Sequence, residues 1–597
     1  MPASTRATGA FRISRTFCAP LSLFALLCAA SLSGSEIIPP HLHLARDYGI
    51  VPGQTTSATE SIQRALDAVQ EHARTTGHHC ELRFEPGRHL LAPKAGAQGW
   101  RLFRLTNASN ITINGNGAEF IITNPRYGFL GLSNSENIHI RDFVIDYDPI
   151  PFTAGHIRAI HPELRAIDIE IAAPHPLPDA PHFTEQQTYG YPLDPLIPGR
   201  LRDGCHNAYF AKHVEPLPNG VFRIHMRPPT GPGELKNLHI GDKWAQLSRQ
   251  GGGDLFMVSS SKNVTFQSIT TYAATAGHYV SSNTSGLSIL ACKALIKPGR
   301  WKGGNADGVH VQNPRSGPHI EDCHFEGLGD DGANIYRKPF KATAISPTGE
   351  LTLQVLPHGT FLPGDQIEFF DPLTGLITHH ATITAVNVSK KQLTLAPSDT
   401  SLPPIRTGTG KDTTQIYRKN PDQEFVIKNT KFLNLRRHGT IAKTSGLIEG
   451  CTYSGTSSAA LAVMNEPGWP EGLYAENLRI LKNRFEQSAF EHSRKTPLII
   501  IKANSLGSPV TTPGLHGTLE ITGNTFAQWQ YAALSLRNTR VARIHDNHFL
   551  PEANSGPAIR IAHNTDVVVE QNTFPSTTTL GKQVIDEGGN TTLRILP

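Results

Sequence analysis

The chain has 597 residues, of which 18% are charged and 38% are hydrophobic, with 53 glycines and 44 prolines. This composition favours a turn-rich β protein over a helical bundle. The net charge of +5 falls to +2 without residues 1–35, because they contain three arginines and no acid. A nearly neutral protein gives no reason to expect a nucleic-acid partner.

Residues 1–35 have the pattern of an export signal peptide. Three arginines precede an apolar stretch at 21–30, and small residues follow. That stretch is too short to span a bilayer, no later segment is long enough, and no membrane span is expected. Leu27 stands before Cys28 where a lipoprotein signal has a small residue, which argues against a lipid anchor. The sequence therefore predicts a periplasmic, secreted or cell-surface protein.

The segment after the signal predicts a cap for an elongated β structure. Ile62, Leu66 and Val69 recur at the spacing of an amphipathic helix. Two short strand patterns follow, at 82–84 and 86–91. A stack of β coils has an open end, and a helix can cover it.

A short β motif recurs through most of the chain. The pattern Ile or Val-x-x-Asn-x-Phe occupies 521–526, 544–549 and 569–574, so that its phenylalanines are 23 and 25 residues apart. Earlier relatives end at Phe325, Phe432, Tyr453 and Phe485. A period of 20–30 residues with Asn at corners is typical of a solenoid. The sequence predicts an all-β parallel β-helix, since a sandwich would give alternation without this recurrence.

Two stretches interrupt the repeat, at 148–248 and 339–422. Both lack the Asn-x-Phe corner and resemble each other, which predicts two inserted antiparallel β-barrel-like modules. Residues 36–147 would then hold the cap and first coils, 249–338 the middle coils, and 423–597 the last coils. The modules could shape a binding site or only stabilise the scaffold.

The five cysteines beyond residue 35 form no disulfide framework, being odd in number and sparse. Cys323 and Cys451 occupy equivalent positions of the repeat, which predicts buried core positions. No cysteine has zinc-site spacing.

The candidate catalytic residues are Asp307, Asp330 and Asp331. Asp330 and Asp331 lie 23 and 24 residues after Asp307. That interval is one coil, and stacked coils are about 4.8 Å apart. Alignment of the repeat also places Arg437 level with Asp330 and His438 level with Asp331. Ordinary Asp-Gly turns are the alternative, because Asp and Gly supply turn geometry cheaply.

Three clustered carboxylates repel one another unless they share a proton, are solvated or bind a cation. We therefore expect one acid with a raised pKa and another that stays ionised, as a general acid and a general base require. The candidate substrate-binding residues are Arg437, His438, Glu466, Trp469 and, about one coil before Asp307, His278.

Asn305-Ala-Asp-Gly308 and Gly329-Asp-Asp331 resemble motifs of polygalacturonase-type glycosidases, but Gly-His-Gly and Arg-Ile-Lys are missing. With Arg436-Arg-His-Gly439 and Met464-Asn-Glu-Pro467, the chain more closely resembles the family 110 glycoside hydrolases. The resemblance implies a right-handed parallel β-helix and an inverting, exo-acting enzyme. Such an enzyme releases terminal α-1,3-linked galactose, including from blood group B type or mucin glycans, and we expect it to need no metal or other cofactor.

On this interpretation Asp307 is the general acid, and Asp330 and Asp331 hold or activate water. The assignment within the three acids stays open, and so does the preference for linear or fucosylated substrates. Alternatives are a polygalacturonase-like hydrolase, a polysaccharide lyase whose acids hold calcium, and a non-catalytic glycan-binding surface β-helix. The flat flank of a solenoid is also compatible with a homodimer.

Overall fold

The computed structural model describes residues 41–94, 99–184, 188–228, 232–248, 253–397, 405–419, 424–491, 495–574 and 580–596. The predicted export signal, with Cys28, lies outside these ranges. Within them, no helix is both long enough and apolar enough to cross a membrane. The α-helices are Thr59–Thr76, Pro181–Thr184, Pro232–Leu235 and Leu580–Gln583, and the 3-10 helices are Ala45–Tyr48, Pro162–Leu164 and Pro218–Gly220.

Parallel strands of the described residues form two long sheets, which confirms the predicted parallel β-helix. The larger, 22-stranded sheet contains His41–Leu44, Cys80–Arg83, Gly87–Leu91, Ser109–Ile122, Glu136–Tyr147, Lys262–Thr271, Ser285–Leu290, Lys293–Ala294, His319–Glu321, His324–Glu326, Phe425–Lys428, Lys431–Leu433, Gly446–Glu449, Thr452–Ser454, Asn477–Leu481, Arg484–Glu486, His516–Thr522, Thr525–Ala527, Thr539–His545, His548–Leu550, Asp566–Glu570 and Thr592–Ile595. The smaller, 12-stranded sheet contains Arg101–Thr106, Gly128–Ser133, Phe256–Ser259, Tyr279–Ser282, Val309–Gln312, Ala333–Tyr336, Thr440–Lys443, Leu461–Met464, Ile499–Lys502, Leu534–Arg537, Ile559–Ala562 and Val584–Asp586.

The aromatic residues of the repeat stack into one ladder through the core. Ring centroids of successive members are 4.8–5.6 Å apart, and neighbouring planes are within 16° of parallel. Each such pair contributes roughly 0.5–1.5 kcal/mol beyond the burial of its area. The members of this aromatic ladder are Phe325, Phe432, Tyr453, Phe485, Phe526, Phe549 and Phe574.

Asparagines of the same motif pair at the bends. The amide of Asn483 donates to Oδ1 of Asn524 at 3.0 Å, and Asn524 donates to Asn547 at 2.9 Å. Asn547 continues to Asn572 at 2.9 Å. Each of these amides also donates to a backbone carbonyl. The bends therefore leave few backbone groups unsatisfied, which a buried turn requires.

The predicted cap helix is confirmed as Thr59–Thr76. Ile62, Leu66 and Val69 are buried against the first coils. The helix ends at Gly77, whose φ of 72° is the left-handed conformation that favours glycine at this position.

Both predicted insertions are closed antiparallel barrels of six strands, which confirms the barrel-like modules. The first barrel contains Phe152–His161, Ala166–Ile171, Tyr189–Leu193, Tyr209–Pro216, Val221–Met226 and Lys243–Leu247. The second contains Phe340–Ile345, Glu350–Leu353, Gln366–Asp371, Leu376–Asn387, Gln392–Leu395 and Gln415–Arg418. Each barrel has its own apolar core.

The five described cysteines are all free and buried. Cys323 and Cys451 lie in the core of the β-helix, as their position in the repeat predicts. Their role is therefore packing, which is common for buried thiols.

Candidate active site

The register of the smaller sheet brings the candidate acids into one column. The first residues of three adjacent strands pair with one another, namely Val309, Ala333 and Thr440. Asp307, Asp331 and His438 stand two residues before them, and we call these three residues the acid column. The backbone N–H of Gly308 donates to the carbonyl of Asp331, and that of Gly332 donates to the carbonyl of His438. The predicted alignment of Asp307, Asp331 and His438 is therefore confirmed.

Carboxylate oxygens of Asp307, Asp330 and Asp331 all lie within 4.8 Å of one another. All three residues are buried, with exposed fractions of 8%, 8% and 2%. Such a cluster needs partners that neutralise it, and each acid has a different set of partners.

Asp331 is held in its ionised form. Its Oδ1 accepts hydrogen bonds of 3.0 Å from the backbone N–H and the Nδ1 of His438. Arg437 Nη1 lies 3.8 Å from its Oδ2. Burial alone would raise the pKa of Asp331, but the Arg437 charge and the His438 hydrogen bonds together hold it well below its usual range. In return, the charge of Asp331 raises the pKa of Arg437.

Asp330 is bound by two arginines. Its Oδ1 accepts from Arg436 Nη2 at 3.0 Å and from Arg437 Nη1 at 3.4 Å. Arg436 also donates to the carbonyl oxygens of Gly329, at 2.5 Å, and Asn207, at 3.0 Å. Since Asn207 belongs to the first insertion, that module helps to fix the arginine that holds Asp330.

Asp307 has the opposite electrostatic environment to Asp331. Burial and the nearby charge of Asp330 raise the pKa of Asp307, against the hydrogen bond from His310. His310 Nδ1 lies 2.6 Å from Asp307 Oδ2, and its Nε2 lies 3.2 Å from the Tyr336 hydroxyl. Burial lowers the pKa of His310, but the Asp307 carboxylate raises it above its ordinary value.

Beyond His310 and Tyr336 lies a buried network centred on Lys443, whose ammonium is 5.3 Å from the centroid of the Tyr336 ring. That ammonium, with no exposed surface, donates to Glu466 at 2.6 Å and to Glu471 at 2.7 Å. Glu471 also accepts from the Asn334 amide at 3.0 Å. Glu466 retains 23% of its side-chain exposure, so this predicted binding residue reaches solvent at the edge of the network.

Trp469 lies on the loop between Glu466 and Glu471 and is 73% exposed. The backbone N–H of Glu466 donates to the Glu471 carbonyl at 2.8 Å, which closes the loop. The second barrel supports it, since the Gln415 amide donates to the carbonyl of Pro467 at 3.3 Å. Each insertion therefore contacts a residue that borders the site: Asn207 contacts Arg436, and Gln415 contacts the loop that carries Trp469.

His278 does not join the other candidates. Its side chain has no exposed surface, and Thr271 Oγ1 lies 2.8 Å from its Nδ1. Burial and then the charge of Lys302 lower its pKa to about 3. Tyr279 pairs with Val309, so the residue level with Asp307 is Gly277, which directly precedes His278. His278 therefore occupies an inward position of the coil, and its ring has no surface at which to meet a sugar.

Sequence reasoning did not single out His310 and Arg436, which contact the acids. It also did not single out the neighbouring Tyr336, Lys443 and Glu471. One signal was present for His310, because strand alternation puts Val309 and Val311 inward and His310 outward. A fourth acid was also missed. The pairing of Phe256 with Tyr279 places Asp254 in line with the acid column, one coil beyond Gly277. Asp254 is 27% exposed and is paired with Arg101 at 2.9 Å.

The three acids could in principle hold a divalent cation, because their oxygens are close enough to share one. However, His438 and Arg437 contact Asp331, Arg436 and Arg437 contact Asp330, and His310 contacts Asp307. Arg436 and Arg437 already bring to Asp330 and Asp331 the positive charge that a cation would supply. The contacts therefore fit a site that uses its own side chains to separate the acids.

Buried carboxyl groups with pKa values driven in opposite directions are characteristic of a general acid–base enzyme. No protein-family model matches the chain. The chain is 21% identical to alpha-1,3-galactosidase A of Shewanella woodyi, over 91% of this chain and 92% of that protein. It is 22% identical to alpha-1,3-galactosidase B of Bacteroides thetaiotaomicron, over 89% of each. The chain is thus a distant homologue of glycoside hydrolases, and its resemblance to family 110 is confirmed over most of its length.

Solved structures with detectable similarity include the A-module of the Azotobacter vinelandii mannuronan C-5 epimerase AlgE4. It has 11% identity and a TM-score of 0.38, over 89% of this chain and 97% of that one. The family 28 exopolygalacturonase of Yersinia enterocolitica has 10% identity and a TM-score of 0.34, over 93% and 78%.

Proposed function

We propose that the protein is an exo-acting glycoside hydrolase that releases terminal α-1,3-linked galactose from glycans by an inverting mechanism. The observation that carries the proposal is the trio of Asp307, Asp330 and Asp331, in which the pKa of Asp307 is raised and that of Asp331 is lowered. The names of the relatives, alpha-1,3-galactosidases over about nine-tenths of the chain, supply the substrate class.

The raised pKa of Asp307 suits it to be the general acid. It would remain protonated to a higher pH than an ordinary aspartate and could protonate the glycosidic oxygen as the bond breaks. His310 touches the same carboxyl group and would hold it in place.

Asp331, and with it Asp330, would act on the attacking water. Asp331 stays ionised, so it can accept a proton from water, while Asp330 can orient that water with the help of Arg437. The proton leaves water for the base as the oxygen attacks the anomeric carbon, and the proton of Asp307 leaves with the released glycan. Atoms and charge therefore balance in a single displacement.

The spacing of the acids does not by itself favour inversion. Inverting pairs are typically about 6.5–9.5 Å apart and retaining pairs about 5–5.5 Å. The nearest oxygens of the trio lie within 4.8 Å, so inversion rests on the family resemblance. Asp254 lies two coils from Asp307, about 9.6 Å by the spacing of stacked coils, with only the side-chain-free Gly277 between them.

Sugar hydroxyls and the sugar face would meet the rim of the site. Arg437 and Glu466 can donate to and accept from hydroxyl groups, and both retain exposed side-chain surface. Trp469 is exposed and could stack its indole ring on the apolar face of the sugar.

The test is hydrolysis of a glycan panel containing linear Galα1-3Gal and fucosylated blood group B structures. Galactose release from either one supports the proposal, and proton NMR of the first-formed anomer reads the stereochemistry. Initial β-galactose supports inversion, and initial α-galactose contradicts it. Product absorbance from a new double bond would instead identify a lyase. Binding of the panel without turnover would identify a glycan-binding β-helix.

A further inference from the structure

A cluster of histidines and one cysteine lies at the N-terminal cap, far along the chain from the acid column. It joins three elements: the strand His41–Leu44, the helix Thr59–Thr76 and the strand Cys80–Arg83. Ligand atoms of His43, His72 and Cys80 all lie within 4.8 Å of one another. Imidazole nitrogen and thiolate sulfur are the ligands that Zn²⁺ prefers.

The histidine side chains face each other in two pairs, each with ring nitrogens at hydrogen-bonding distance. His43 Nε2 lies 2.8 Å from His72 Nδ1, and His41 Nε2 lies 2.8 Å from His78 Nδ1. The rings of His41 and His72 have centroids 4.9 Å apart, so the two pairs adjoin. Two nitrogens bound to one tetrahedral zinc are about 3.3 Å apart, given Zn–N distances of about 2.0–2.1 Å. The present spacing of His43 and His72 is within reach of that value through small rotations of the rings.

The surroundings favour metal ligation by His43. Its Nδ1 lies 2.8 Å from the Tyr48 hydroxyl oxygen. When Nδ1–H donates to that oxygen, the lone pair of Nε2 points at His72. Metal-bound histidines usually have such a partner on the other ring nitrogen. His41 and His78 are exposed and His43 and His72 half-buried, which leaves a path for an ion, whereas Cys80 forms the buried side of the cluster.

We propose that His43, His72 and Cys80 bind a zinc-class divalent transition-metal ion, and that this ion fastens the cap to the first coil. The strand Cys80–Arg83 pairs with both His41–Leu44 and Ser109–Ile122, so the ion would tie the cap helix directly to the solenoid. No sequence motif indicates this site, because its ligands come from separate elements and only one of them is a cysteine. The proposal is independent of the chemistry at Asp307, Asp330 and Asp331.

The test is titration of the full chain, purified free of metal, with Co²⁺ and then with Zn²⁺. We expect one equivalent of Co²⁺ to give tetrahedral bands and a thiolate-to-cobalt charge-transfer band, which Zn²⁺ abolishes. We also expect Zn²⁺ to raise the melting temperature by a few degrees, since an ion that binds only the folded state stabilises it.

The variants separate this site from other metal-binding groups. Cys80→Ser should remove the charge-transfer band, and His43→Ala or His72→Ala should abolish binding of the single equivalent. The matched controls are Cys292→Ser, a buried thiol elsewhere in the core, and His79→Ala, whose ring contacts Thr112 instead. Both controls should bind as the unchanged protein does.

A measurement without variants covers the case in which a substitution prevents folding. X-ray absorption of the zinc-loaded, unchanged protein should show sulfur at about 2.3 Å and nitrogen at about 2.0–2.1 Å. A shell of oxygen alone would place the ion at carboxylates and overturn the proposal. Absence of stoichiometric binding, or an unchanged band in Cys80→Ser, would overturn it as well.

Discussion

The aromatic ladder and the acid column are both products of the same parallel register, but they use it in opposite ways. In the ladder, every coil contributes the same kind of group, and each ring lies flat on the next at 4.8–5.6 Å. In the acid column, successive coils contribute different groups, so that Asp307, Asp331 and His438 meet. The β-helix thus separates stability from chemistry: repetition fills the interior, and departures from repetition build the site.

The largest expected effect is on catalysis. Asp331→Asn removes the proposed base while keeping the shape of the side chain. We expect kcat/KM for a Galα1-3Gal glycan to fall about 10²- to 10⁴-fold, the usual contribution of general acid–base catalysis. Initial rates of galactose release measure this fall in kcat/KM. They are normalised to the folded fraction, because Arg437 loses one of its two charged partners.

The control for this change is Asp146→Asn. Asp146 is another buried acid, paired with Lys297 and Arg300 at 2.6 Å each, but it lies outside the acid column. It should lose stability with little loss of activity per folded molecule. Equal losses of activity in the two variants would mean that Asp331 acts only through the fold.

The next effect concerns the ladder. Phe526→Ala removes one ring between Phe485 and Phe549, and we expect it to lower the free energy of unfolding by about 3–5 kcal/mol. Denaturant unfolding measures this change. Activity per folded molecule should be unchanged, because Phe526 stacks between Phe485 and Phe549, in coils beyond those that carry the acids. A loss of kcat comparable to that of Asp331→Asn would contradict the separation of stability from chemistry.

The same contrast explains how much was predictable from the sequence. The ladder comes from a short motif that recurs along the chain. The spacing of that motif therefore also predicted the alignment of Asp307, Asp331 and His438. Arg436, which binds Asp330, also depends on contacts from the first insertion, and no spacing connects position 436 with Asn207. His278 does lie one coil before Asp307, but its side chain is buried. The cause is simple: a shift of one residue along a coil turns a side chain from the surface into the core.

A smaller effect is expected on pH dependence. A general acid must be protonated, so the rate should fall as pH rises through the pKa of Asp307. His310 favours the ionised form of that carboxyl group. His310→Gln should therefore raise the pKa further and shift the basic limb of kcat/KM to higher pH, by about one unit for each 1.4 kcal/mol of lost interaction.

Other groups also act on the pair of Asp307 and His310. The charges of Asp330 and Asp331 raise the pKa of Asp307, and Tyr336 and Gln312 contact His310. All four groups remain in the variant. The control is His324→Gln, a histidine beside Glu326 on the larger sheet, which should leave the profile unchanged. A basic limb that moves to lower pH, or does not move, would show that Asp307 is not the group that must be protonated.

The smallest effect is expected at the rim, where neither repetition nor burial constrains the side chain. Trp469 is 73% exposed, so Trp469→Ala should change stability by less than about 0.5 kcal/mol. Loss of stacking on a sugar should raise KM about two- to tenfold, as the roughly 0.5–1.5 kcal/mol of an aromatic contact allows, with kcat nearly unchanged. Trp469→Phe should restore most of the affinity, and Leu550→Ala, another exposed apolar residue, should change neither constant. An unchanged KM in Trp469→Ala would remove the tryptophan from the binding surface and confine recognition to the charged residues around the acid column.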